Sequence, residues 1–87
     1  MDKKQVKLFF KIGDKEVFER WLNKVNLTEE EKNISIKLGE EWSEEMIAQE
    51  MNMSKRTIQR RKKKIYEKVF ETLNGREELE EKLKGGN

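Results

Sequence analysis

Between Lys55 and Lys68 the chain sets eight basic side chains against one acidic side chain, a net charge of +7 in fourteen residues. Lys and Arg packed this densely can exchange the condensed counterions of a phosphate backbone for direct contacts, so the chemistry this segment offers is polyanion binding. The remainder of the chain offers little else. It has no cysteine and no histidine, which removes disulfides, thiol nucleophiles, imidazole bases and zinc-finger ligand sets together. The glutamates at 29–31 and between 40 and 45 lack the glycine and alternating acids of a calcium loop and read as helix caps and solvated faces. The expectation is a non-enzyme with no metal and no cofactor.

The overall charge of +2 conceals the segregation: residues 1–24 carry +3, 25–54 carry −6, 55–68 carry +7 and 69–87 carry −2. At about 100° per residue, with Ile58 and Ile65 taken as the core direction, Arg56, Arg60 and Lys63 fall on the far side of a helix, flanked by Gln59 and Lys64. Arg reads guanine bidentately, Gln reads adenine, and Lys meets guanine or phosphate, which makes Gln59, Arg60 and Lys63 the expected base readers. Lys55, Arg56, Thr57 and Lys64 are the expected phosphate contacts. The competing reading of such a run is a solvated helix surface.

A reading helix needs a scaffold. Leu, Ile, Val and Phe make up 21 of the 87 residues, above the roughly one-fifth below which highly charged chains stay disordered, so the chain should fold around a small core. Val6, Leu8, Phe10 and Ile12 alternate with Lys7, Phe9 and Lys11, the period of a half-buried strand. Val6, Phe9 and Phe10 would also suit one face of a helix. The strand is favoured because Gly13 stops it and four apolar residues share a side. Asp14 can cap a helix with Val17, Phe18, Trp21, Leu22 and Val25 along one face. Thr28-Glu29-Glu30-Glu31 is a capping box opening a helix to about Leu38, with Gly39 near its end. Ser43 caps the next helix, which turns Ile47, Ala48 and Met51 inward. Asn52 tolerates the left-handed turn that follows, and Ser54 opens the basic helix. That helix is expected to stop at Asn74-Gly75, before a short helix from Glu77 to Lys84 anchored by Leu79 and Leu83. Gly85, Gly86 and Asn87 read as a loose tail. Met46, Met51 and Met53 read as fillers of an irregular core rather than a metal or peptide site, and Trp21 and Trp42 as core residues.

Two short helices around a tight turn, the second densely basic, make a helix-turn-helix, whose second helix enters the major groove. The run WSEEMIAQEMNMSKRTIQRRKKKIYEKV resembles the LuxR-type, or GerE-like, helix-turn-helix of bacterial transcription regulators. Leu27, Thr28, Glu31, Ile34, Ser43, Ile47, Ala48, Ser54, Thr57, Ile58, Ile65 and Lys68 stand at the family's relative spacing, over about residues 27–73. The chain departs from the pattern at Glu41, where the family often has Gly, at Ser35 and Lys37, where core residues are usual and Ile36 can substitute, and at Arg61, which replaces a common His. The promoter-binding C-terminal domain of bacterial sigma factors is similar and shares this four-helix plan. Small stand-alone proteins of this kind resemble phage-type regulators.

The expected fold is an all-α helix-turn-helix bundle of about four to five helices with an N-terminal extension, a short strand there pairing across a dimer. Residues 1–26 would form the extension and first amphipathic helix, 27–74 the DNA-binding core, and 75–87 a short helix and tail, all in one compact domain. The expected function is sequence-specific binding of double-stranded DNA in transcription regulation, by a homodimer held through Val6, Leu8, Phe10 and Ile12 or through Leu79 and Leu83, with Tyr66 and Phe70 nearby. The alternative is a sigma-region-like adaptor, or a phage protein-interaction module, docking on RNA polymerase or an assembly partner. No apolar run reaches the roughly 18 residues of a membrane span, and no signal-peptide pattern opens the chain, so a cytoplasmic, nucleoid-associated protein is expected.

Overall fold

The structure, a computed structural model, describes residues 4–84, with side chains as far as Asn74. It contains five helices in chain order: α1 (Lys4–Phe9), α2 (Lys15–Leu22), α3 (Glu29–Gly39), α4 (Glu44–Glu50) and α5 (Lys55–Lys84). The N-terminal segment is therefore helical, not a strand. The reason is the direction of its aromatic residues. Val6, Phe9 and Phe10 share one face of a helical turn and are all buried, whereas a strand would have thrown Phe9 to the opposite side from Val6 and Phe10. A helix also satisfies its own backbone, and Phe10 N–H and Lys11 N–H continue the turn onto the carbonyls of Val6 and Leu8. Strand pairing across a dimer falls with the strand. Val6 and Phe10, expected to hold a partner, instead belong to the chain's own core.

Each of the middle helices begins where a short polar side chain can take an otherwise unpaired N–H. Asp14 accepts from Val17 N–H at 3.2 Å. Thr28 Oγ1 accepts from Glu31 N–H at 3.1 Å while the Glu31 carboxylate takes Thr28 N–H at 2.9 Å, closing the capping box. Ser43 Oγ accepts from Met46 N–H at 3.2 Å. Gly39 ends α3 where α2 packs closely: a Cβ there would lie 3.0 Å from the Phe18 ring, so a larger residue would make the ring shift by a few tenths of an ångström. Glu41 then turns the chain with φ 66°, the conformation for which glycine is the ordinary choice. Ser35, fully buried, keeps the core position itself by bonding its hydroxyl to the Glu31 carbonyl at 2.7 Å, while Ile36 remains partly exposed.

The core sits on α5. Ile58, Ile65 and Val69 are fully buried along one side of it, against Ile47 from α4, Ile34 from α3, Leu22 from α2 and Val6 from α1. Phe9, Phe10 and Phe18 cluster at 5.3–5.8 Å between ring centres, and Tyr66 of α5 stacks on Phe10 at 5.1 Å. Tyr66 and the partly buried Phe70 therefore serve the core. Met51 and Met53 pack against it, but Met46 is half exposed and does not. Trp21 and Trp42 cover its edge, each beneath a lysine.

α5 differs from its expected form. It runs through Asn74-Gly75 without a stop, so the separate helix over 77–84 is its continuation. Asn74 donates its side-chain amide to the Phe70 carbonyl, one turn back. Leu79 and Leu83 lie beyond the residues whose side chains are described, and Gly85, Gly86 and Asn87 lie outside the described residues altogether. Among the described residues no helix is long and apolar enough to cross a membrane.

Candidate nucleic-acid interface

The turn between α4 and α5 is built from backbone groups that the short helix leaves open. Met51 N–H and Met53 N–H return to the carbonyls of Ile47 and Ala48, both at 2.9 Å, and Asn52 between them takes φ 57°. Asparagine visits this region more easily than most residues because its short polar side chain can bond locally. Ser54 then caps α5, its hydroxyl accepting from Thr57 N–H at 3.1 Å and lying 2.9 Å from the Thr57 hydroxyl. Thr57, expected on phosphate, thus has its hydroxyl engaged in the cap. Buried Ile47 and Ile58 fix the two helices against one another.

This packing sorts the basic residues of α5 by direction. On the sides facing α3 and α4 the cations meet carboxylates. Lys55 Nζ reaches Glu45 at 2.9 Å, Lys62 Nζ lies 3.8 Å from Glu44, Arg61 Nε bonds Glu30 at 2.5 Å, and Lys68 Nζ bonds Glu31 at 2.6 Å. Gln59 Nε2 lies 3.4 Å from the same Glu44 carboxylate. Lys62 also lies over the Tyr66 ring at 5.5 Å. The other four of the eight cations between Lys55 and Lys68, namely Arg56, Arg60, Lys63 and Lys64, are exposed and enter no ion pair among the described residues. Arg56, Arg60 and Lys63 lie within about 40° of the direction opposite Ile58, and the stretch from Arg56 to Lys64 covers about 12 Å of helix axis. Exposed Glu67 and Glu71 end the positive stripe on that face.

Electrostatics follow the same division. Burial would raise the Glu31 carboxyl, but the Lys68 hydrogen bond, the Thr28 N–H and the Lys68 charge together hold it below its ordinary value of 4.5. Hydrogen bonding to Lys55 lowers Glu45, and the same bond raises Lys55. Tyr66 is raised, first by burial and then by the Glu44 charge. Among the described residues no cluster of acids could hold a metal ion.

No protein-family model matches the chain, and the comparisons with curated proteins and with solved structures found no match. The site therefore rests on its own geometry. Of the expected contact residues, Arg56, Arg60, Lys63 and Lys64 share an open surface. Gln59 and Lys55 adjoin it but are held by Glu44 and Glu45. The sequence pattern shows those two glutamates only as part of a cap and a solvated face, and in the first turn of α4 they also favour the helix dipole. Their second role as partners of α5 had one signal in the sequence: a −6 segment directly preceding a +7 one.

Proposed function

We propose that the chain is a non-catalytic, sequence-specific DNA-binding regulator that lays the first three turns of α5 in the major groove. One observation carries this reading: of the eight cations between Lys55 and Lys68 the folded chain pairs four with carboxylates and leaves four on a single stripe about as long as the major groove is wide, roughly 12 Å. Arg60, at the middle of the stripe, and Lys63, about one turn further on, are the base readers, joined by Gln59 once DNA draws its amide from Glu44. Arg56 and Lys64 hold phosphates at its edges, and Lys55 joins them where a phosphate displaces Glu45. The left-handed Glu41, at a position where LuxR-type domains often carry glycine, supports that resemblance. Double-stranded DNA, a second copy of the chain and a nucleoid location in the cytoplasm are the partners and place that this reading implies.

Selection of bound duplexes from a random pool tests it. Enrichment of a motif, together with a log K that falls with log salt at about −0.9 per phosphate contacted, is the expected result. Binding with no enriched sequence removes the regulator reading. No duplex binding at low salt removes the DNA reading and favours the protein-docking alternative.

A further inference from the structure

We infer that an apolar groove beside Leu73 of α5, about 20 Å along the helix from Arg60, receives the C-terminal end of α5 from a second copy of this chain. The groove is lined by Gln5, Leu8, Phe9, Ile12, Trp21 and Leu73. Leu8 is 61% exposed at its wall, and it and Met46 are the large apolar side chains that the described fold leaves most open. Two properties of the chain select the occupant. First, α5 continues eleven residues beyond Leu73, where it lines the groove, to Lys84. Leu79 and Leu83 follow Ile65 and Val69 by fourteen residues each, two heptads, so the apolar spacing of the core continues in the sequence. Second, the charges match. Glu77, Glu78, Glu80 and Glu81 surround Leu79 in sequence, ahead of Lys82 and Lys84 beside Leu83, while Lys7 and Lys11 flank Leu8 and are both exposed. Groove and tail lie on one chain, so two copies can exchange tails about a two-fold axis, each contact made twice. The basic stripe at the other end of α5 stays uncovered on both copies.

Sedimentation equilibrium of the full chain without DNA tests this independently of any nucleic-acid reading. The parent is expected to be a dimer at micromolar concentration. Leu8→Asp, at an exposed position, and Leu79→Asp should each give a monomer whose helix content by circular dichroism in the folded state is unchanged. Reversing the charges provides the specific test. Lys7→Glu with Lys11→Glu in one chain, and Glu78→Lys with Glu81→Lys in another, should each loosen self-association about tenfold or more. A one-to-one mixture of the two should restore it, because in the mixed dimer both tails again meet grooves of opposite charge. A parent that stays monomeric across the micromolar range, a dimer indifferent to Leu8→Asp, or reversed chains that fail to pair would overturn the inference.

Discussion

Arg56 and Arg60 stand one turn apart on the same open face, but the proposed complex gives them different work. Arg60 lies near the middle of the stripe, where a guanidinium can bond guanine bidentately, so Arg60→Ala should relax preference at one base position by about 1–3 kcal/mol. Arg56, at the start of the helix, should on alanine substitution weaken all duplexes alike and reduce the salt slope by about 0.9. Competition with single-base variants of the selected site separates the two, and a uniform loss from Arg60→Ala would move that residue to the phosphates. Glu31 is the residue through which pH should act on stability. Its carboxyl is lowered in the folded chain, so its contribution is complete above the ordinary value of 4.5 and is lost as pH falls through the lower folded value. Glu31→Gln should cost about 1 kcal/mol at neutral pH and flatten the fall of the melting midpoint below pH 4.5; an unchanged acid limb would mean that other carboxylates set it. The cations themselves were legible from helical spacing along a single segment. Their pairing was not, because Arg61 and Lys68 meet partners 31 and 37 residues away, and periodicity gives the direction of a side chain but not what faces it.

Helix beginnings were the most legible elements, since Asp14, Thr28 and Ser43 each act within three residues of themselves and need no tertiary information. The two misread segments share a different cause. Over Val6–Ile12 two periods fit the apolar residues, and the choice fell to the packing of Phe9 against Phe18 at 5.3 Å, a contact invisible in the local sequence. At Asn74-Gly75 a pair that commonly ends helices lies within one that continues to Lys84. The loop before α4 offers a sharper test of local against global preference. Glu41 holds φ 66° without the freedom of glycine, so Glu41→Gly should stabilise the domain by about 0.5–1 kcal/mol. A lower melting midpoint would show that the glutamate side chain makes up for the strain. Ile58 and Ile47, both fully buried where α5 meets α4, should cost about 2–5 kcal/mol each as alanine, with DNA binding lost through unfolding rather than through contact. Thermal melts with and without duplex distinguish that from a direct effect.

At the scale of the molecule, the shape sets what site the protein can read. The chain is elongated, 50 × 25 × 22 Å, and α5 supplies its length: thirty residues at 1.5 Å each span about 45 Å. The basic stripe occupies the start of this helix, and the inferred exchange of tails occupies its end. A two-fold axis through the tails therefore carries the two stripes to opposite ends of the dimer with opposite polarity, so the preferred duplex should be an inverted repeat. Reading helices of such a dimer meet one face of the DNA only if the half-sites lie about one helical turn, or a multiple of it, apart. Each stripe touches few base pairs, and the rigid pair gains affinity because the second half binds at high effective concentration. Inserting five base pairs between the half-sites rotates them to opposite faces and should abolish that gain, while ten should restore much of it. Leu8→Asp should bind a single half-site as well as the parent does but lose the advantage of the repeat. Binding of the parent that is indifferent to spacing, at one chain per site, would instead describe a monomer whose remaining contacts come from a larger partner.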